Sequence, residues 1–239
     1  MCSSDLTTRP NETVIYSGHW DHLGVGAPDA KGDKIFNGAV DNGTGIASLI
    51  ELARAFAKAP APQRTIVFMA LTGEEKGLLG STYYGEHPVY PAATTAGVIN
   101  MDALKPFGRA HNMATSGSGK VDLEDRLGAL LKAQGRVLDV DPEPEKGHFY
   151  RSDHFSFAKV GIPAISVESG TDLLNGGQTE GMRRIQDYNA NRYHQAGDQY
   201  DAATWDMNGI AEDIGVLYTL GRELDRKSTR LNSSHTDIS

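Results

Sequence analysis

The stretch "RTIVFMALTGEE" (64–75) constrains the fold more than any other part of the chain. From Ile66 to Leu71 every residue is apolar, with no alternation. A strand with one wet face alternates polar and apolar residues, so a continuous apolar run belongs to a strand covered on both faces. Such strands occur in sheets sandwiched between helices, and the remaining sequence supplies both elements. "TVIYSG" (13–18), "AGVINMD" (96–102) and "IPAISVE" (162–168) read as further strands. In "DNGTGIASLIELARAFAKAP" (41–60), Ile46, Leu49, Ile50, Ala53, Phe56 and Ala57 recur at helical spacing, and Pro60 and Pro62 end the run. "GLLGSTYYGEH" (77–87), "KVDLEDRLGALLKAQG" (120–135), "RSDHFSFAKVG" (151–161) and "WDMNGIAEDIGVLYTLGREL" (205–224) read as the other helices; Gly135 and Gly161 close the middle two. Strands alternating with helices predict an α/β fold with a mostly parallel, mixed central sheet and helices on both faces. The segment 170–193, rich in Gly, Asn, Gln and Arg, is expected to be a long functional loop.

The two ends have a different character. "MCSSDL" (1–6) and "DRKSTRLNSSH" (225–235) are what one DNA string and its reverse complement would encode, and that string resembles a short-read sequencing adapter. Residues 1–6 and 225–239 are therefore expected to be adapter-derived, the tail disordered, with 7–224 forming one catalytic domain. The only cysteine, Cys2, falls in the excluded part, so no disulfide framework or thiol chemistry is expected of the rest. The net charge of −8 offers no basic patch for nucleic acid or an anionic membrane. No run of 18 apolar residues exists, so no membrane span is expected.

Polar residues gather where such folds place their sites, beyond the carboxyl ends of strands. His19 and Asp21 follow the strand 13–18, Glu74 and Glu75 follow the apolar run, and Asp102 ends the strand 96–102. Asp41 stands at the start of a predicted helix, and His194 lies in the loop before the last one. Singly, each has an ordinary explanation: a surface histidine, an N-cap, a solvated acidic pair. Together they converge on one rim. Histidine and carboxylates without cysteine suit zinc or another divalent first-row metal. Carboxylates also bridge paired ions, which sit roughly 3.5–4 Å apart in hydrolytic two-metal centres. Asp21 is placed to accept the imidazole N–H of His19, and one of the adjacent glutamates would bind metal while the other handles protons.

"SGHWDHLG", "NGAVDNGTGIASLIELARAF", "TGEEKGLLGS", "INMD", "RSDHFSFAKVGIPAI" and "YHQAGDQYD" resemble the co-catalytic zinc exopeptidases of metallopeptidase family 28, from about residue 13 to 224. The resemblance implies two zinc ions per chain. His19, Asp41 and Asp102 would hold one, and Asp41, Glu75 and His194 the other, with Asp41 bridging. Glu74 would be the general base and Asp21 the partner of His19. The substrate would be a peptide with a free N-terminus. Tyr193 and Tyr150 are the candidates for steadying the oxyanion, and His22 is expected to be structural or to support a ligand. The substrate pocket is expected between 103–113 and 170–193. The fold implied is of the zinc-exopeptidase, phosphorylase/hydrolase-like kind. Family domains usually carry a helix and a strand before the first metal histidine, so this chain is expected to lack them and to expose an unpaired edge beside 13–18. By the same analogy, secretion or periplasmic residence is expected.

Other chemistries fit less well. "DNGTGIAS" lacks the Lys-Ser/Thr of a phosphate loop and the full dinucleotide fingerprint. "SGSGK" (116–120) is the nearest look-alike of a nucleophile elbow and reads as a turn. Within the resembling family, carboxypeptidases, single-zinc glutaminyl cyclases and metal-free receptor domains are the alternatives. The complete ligand set speaks against the last.

Overall fold

The computed structural model describes residues 8–117, 121–141 and 147–226. Its frame is a six-stranded sheet of β1 (Arg9–His19), β4 (Arg64–Leu71), β5 (Thr95–Met101), β6 (Asn112–Thr115), β7 (Val137–Asp139) and β8 (Ala164–Ser169), ordered β4-β1-β5-β8-β6-β7. β4, β1, β5 and β8 run parallel, β6 pairs antiparallel to β8, and β7 lies parallel to β6. The sheet is therefore mixed and mostly parallel, as expected. A short hairpin of β2 (Gly24–Val25) and β3 (Ile35–Phe36) stands apart from it.

Both faces are covered. The helices are α1 (Gly45–Lys58), α2 (Leu79–Glu86), α3 (Asp122–Ala133), α4 (His154–Lys159), α5 (Gly177–Asn191) and α6 (Asn208–Arg226). Strand periodicity divides the core. Val14 and Tyr16 of β1 and Ile99 and Met101 of β5 join α1, α3 and α6, with Leu52, Leu127, Leu217 and Leu220 among them. Ile15 and Val98 point the other way, to Tyr84 of α2 and Phe157 of α4. The apolar run in β4 does both: Ile66 and Phe68 pack on the first cluster, Val67 and Met69 on the second. The absence of alternation thus reflects two dry faces. Truncating a buried leucine such as Leu220 is expected to cost about 2–5 kcal/mol. α6 lies close against the sheet: a Cβ at Gly221 would clash with Tyr16 Oη, which donates to the Leu217 carbonyl at 2.8 Å.

Four expectations need correction. The segment 170–193 is not a long loop, because α5 occupies most of it; α5 buries only Gly181 and Tyr188 and so has almost no apolar stripe to read. α1 begins at Gly45 with Thr44 at its cap position, so Asp41, three residues earlier and with φ −106 and ψ 89, is not the N-cap. The strand 13–18 is interior, flanked by β4 and β5, and among the described residues the edge strands are β4 and β7. Finally, α6 runs through Asp225, whose buried carboxylate accepts the Arg64 backbone N–H at 2.7 Å. Residues 1–6 and 227–239, expected to be adapter-derived, lie outside the described residues. No described helix is long and apolar enough to cross a membrane.

Candidate metal centre

Three parallel strands end on the same rim. His19 is the last residue of β1, Asp102 follows β5, and Glu74 and Glu75 form a turn of 3-10 helix shortly after β4. Asp41 reaches the rim from the segment before α1, and His194 from the segment between α5 and α6, with a left-handed backbone (φ 56). The structure thus brings together all five expected ligand residues and Glu74.

Their separations are informative. His19 Nε2 lies 3.2 Å from Asp41 Oδ1 and 3.2 Å from Asp102 Oδ1. His194 Nε2 lies 3.3 Å from Asp41 Oδ2 and 3.2 Å from Glu75 Oε2. Donors about 2.0–2.1 Å from a tetrahedral zinc are about 3.3 Å from one another. Asp41 turns one oxygen to each histidine, and Glu74 Oε2 stands 3.9 Å from His19 Nε2. His22 also approaches: its Nδ1 is 2.6 Å from Glu75 Oε1, and His22, Asp41 and Glu75 have ligand atoms within 4.8 Å of one another. That 2.6 Å is too short for two ligands sharing a zinc, and neither ring nitrogen of His22 makes an aligned hydrogen bond. The donor set, two imidazoles and three carboxylates on oxygen and nitrogen alone, suits zinc.

The electrostatics of the cluster ask for positive charge. Burial works against a charged His19, but hydrogen bonds to Asp102 and Asp41 outweigh it and push its pKa up to about 12. Burial opposes ionisation of Asp41 too, and the two histidines override it, holding its carboxyl below the usual range. Glu74 is pushed up to about 9, first by burial and then by the charge of Asp102. Carboxylates crowded out of water are costly unless a cation joins them.

Asp21 acts differently from the expectation. The Nδ1–H of His19 is directed to the backbone carbonyl of Asp21, at 3.0 Å, not to its carboxylate. The carboxylate instead accepts the backbone N–H of Glu74 at 3.3 Å. Extended geometry predicted a shared side but not which oxygen would be used. Of the two tyrosines, Tyr193 stacks on the His194 ring with centroids 3.9 Å apart. The pKa of its phenol is raised by burial and then by the charges of Asp41 and Asp102. Tyr150 packs edge-on against Phe149 and Phe155.

Several supporting residues were not singled out by the sequence. Asp198, fully buried, accepts the N–H groups of Val40 and Asp41 at 3.0 Å each and the Tyr188 hydroxyl at 3.2 Å. Asn42 ties the other side: its amide donates to the Met101 carbonyl at 2.9 Å and accepts from the Ala103 N–H at 3.1 Å, bracketing Asp102. Ser152 donates to Asp102 Oδ2 at 2.6 Å. The motif "YHQAGDQYD" contained Asp198, but nothing local marked it as buried. A cavity of about 450 Å³ lies between Pro106, Phe107, Arg184, Tyr188, Asp198 and Trp205, partly where the substrate pocket was expected.

Comparison with known proteins agrees with this reading. A model of peptidase family M28 matches residues 4–218. A probable zinc metalloprotease of Pyrenophora tritici-repentis is 39% identical over 95 residues, covering 40% of this chain and 21% of that protein. A second, from Pyricularia oryzae, is 36% identical over 95 residues, 40% of this chain and 18% of its own length. The chain thus spans about a fifth of the curated relatives it matches. Among solved structures, the Legionella pneumophila aminopeptidase LapA superposes with a TM-score of 0.67 at 19% identity, covering 94% of this chain and 52% of that one. The zinc aminopeptidase BSAP of Bacillus subtilis gives 0.68 at 19%, covering 95% and 49%. A glutaminyl cyclase of Porphyromonas gingivalis gives 0.63 at 18%, covering 90% and 74%. At these identities the superpositions speak for the fold alone. With the family model spanning nearly the whole described chain, this protein belongs to peptidase family M28.

Proposed function

We propose that the chain is the catalytic part of a zinc-dependent exopeptidase that removes N-terminal residues from peptides. The observation that carries this is the set of four histidine–carboxylate separations of 3.2–3.3 Å arranged on either side of Asp41. His19, Asp41 and Asp102 would hold one zinc, and Asp41, Glu75 and His194 the other. When bound, the zinc pair supplies Lewis-acid chemistry, acidifying a water and polarising the scissile carbonyl. Glu74 takes the proton of the attacking water on its carboxylate and returns it to the departing amine. Asp21 holds Glu74 in place through the backbone N–H, and its carbonyl fixes the tautomer of His19, leaving Nε2 free to ligate. Tyr193, stacked on the His194 ring, is the better-placed donor for the developing oxyanion.

The likeness to the BSAP and LapA aminopeptidases supports the aminopeptidase reading, and the glutaminyl cyclase likeness keeps a single-zinc acyltransferase as the competitor. The intact His19–Asp41–Asp102 group favours two ions. Zinc per chain, measured by elemental mass spectrometry after removal of excess metal, is expected to be two. The loaded protein is expected to hydrolyse aminoacyl anilides and to ignore their N-acetylated forms. One zinc with cyclisation of N-terminal glutamine would overturn the proposal, as would release from the C-terminus.

A further inference from the structure

Resting on the aminopeptidase reading above, we infer that Lys105 is a specificity-determining residue that makes an acidic N-terminal residue, glutamate or aspartate, the preferred substrate. The Lys105 ammonium donates to the carbonyl of Ala103 at 2.6 Å, and Ala103 is the residue directly after Asp102. The same ammonium stands over the Tyr188 ring, 4.9 Å from its centroid. Tyr188 lies beside Tyr193, with ring centroids 6.1 Å apart, and Tyr193 stacks on His194. Two routes therefore lead to this cation from the proposed zinc ligands. A wall of rings runs to it from His194, and the carbonyl that it holds adjoins Asp102.

An ammonium carries three N–H donors and no acceptor. Among the described residues Lys105 Nζ has one hydrogen-bond acceptor, the Ala103 carbonyl, and no carboxylate within 4 Å. The acids whose charges reach it are engaged elsewhere. Glu168 accepts from Ser116 at 2.6 Å, Asp198 holds the N–H groups of Val40 and Asp41, and Asp41 and Asp102 face the histidines. The base of the side chain is fixed, because the Lys105 N–H donates to Ser169 Oγ at 2.9 Å and Pro106 follows. Lys105 is thus a half-buried, anchored cation with donors to spare. A carboxylate brought to it would form charge-assisted hydrogen bonds, which are stronger than neutral ones. An apolar side chain in the same place would strip water from the ammonium and give nothing in return. A peptide held at the centre by its α-amino group turns its first side chain toward the surrounding walls, and the wall of Tyr193 and Tyr188 ends in this charge.

The test uses the full chain loaded with zinc and compares kcat/KM for glutamyl, glutaminyl and leucyl anilides. Glutamine matches glutamate in shape and lacks its charge. The wild type is expected to prefer the glutamyl over the glutaminyl substrate by about 10–100-fold, the scale of hydrogen bonds to a charged group. Lys105→Met is expected to abolish that preference, and Lys105→Arg, which keeps the cation, to retain most of it. Calorimetry with free glutamate and free glutamine, which involves no turnover, is expected to show the same contrast between the variants. Should Lys105→Met fail to fold, Lys105→Gln replaces it, with the same loss expected. A wild type that cleaves leucyl or glutaminyl anilide as well as the glutamyl one overturns the inference and leaves the aminopeptidase reading standing. So does a folded Lys105→Met or Lys105→Gln variant that keeps the wild-type ratio. A wild type that cleaves none of the three anilides overturns the aminopeptidase reading, and the inference with it.

Discussion

The two halves of the candidate metal centre are built on different supports. His19 and Asp102 sit directly on the ends of neighbouring strands, and the His19 side chain is 1% exposed. Glu75 is equally sheltered at 4%, but its partner His194 is 39% exposed and stands on an irregular segment between two helices. Asp41 joins the halves, and Asp198, four residues after His194, holds the backbone of Asp41 through two N–H groups. One half is therefore preformed by the sheet. The other relies on a connection whose geometry is set by a few side-chain hydrogen bonds, and such segments lie at the low end of local stability. The contrast teaches that a symmetric ligand set need not have symmetric rigidity.

The largest expected effect tests whether Glu74 belongs to neither half as a ligand. Glu74→Ala should keep both zinc ions while turnover falls by about 10²–10⁴-fold, the usual contribution of proton transfer; lost zinc together with lost turnover would make it a ligand instead. Next comes the pair of tyrosines. Tyr193→Phe should lower kcat by about 10²–10³-fold if the phenol donates to the oxyanion, whereas Tyr150→Phe, on a ring packed among phenylalanines, should stay near wild type. Comparable losses in steady-state assays would erase the distinction drawn between them.

Metal removal then addresses the halves directly. Chelator titration followed by elemental analysis should show two steps, the first ion leaving the Glu75–His194 half on the order of tenfold more readily, the scale on which ligand support tunes affinity. Release of both ions in one step would mean that the sheet confers no advantage. The smallest effect concerns pH. The hydrogen bond that His194 donates to Asp41 raises the His194 pKa, outweighing partial burial. Protons compete with metal for the same nitrogen, so affinity should fall as pH falls at both halves, and sooner at the His19 half, where the histidine is raised to about 12. Isothermal titration with zinc at several pH values would reveal identical slopes if the comparison is wrong.

The candidate ligand residues were legible because each is tied to a local signal. The apolar runs of β1, β4 and β5 announce strands, and strands in such sheets deliver function at their carboxyl ends. Asp41 was placed on the rim but in the wrong conformation, since "DNGTG" before an amphipathic run reads like a helix start whether or not its first residues are helical. β6 and β7, four and three residues long, carry too few side chains to show a period. α5 was hidden for the opposite reason: fifteen residues long, it covers the molecule with polar side chains and buries only Gly181 and Tyr188.

By itself the sequence determined which residue types reach the rim and in what order, because hydrophobic periodicity and strand length are properties of neighbours in the chain. Only the tertiary structure decided what those residues touch. Asp198 reaches the Asp41 backbone from 157 positions away, and Ser152 reaches Asp102 from 50. Asp21 lends its carbonyl rather than its carboxylate to His19. Hydrogen-bond partners at such separations leave no periodic trace in a sequence. They are fixed by where the folded rim brings a donor to within about 3 Å of an acceptor.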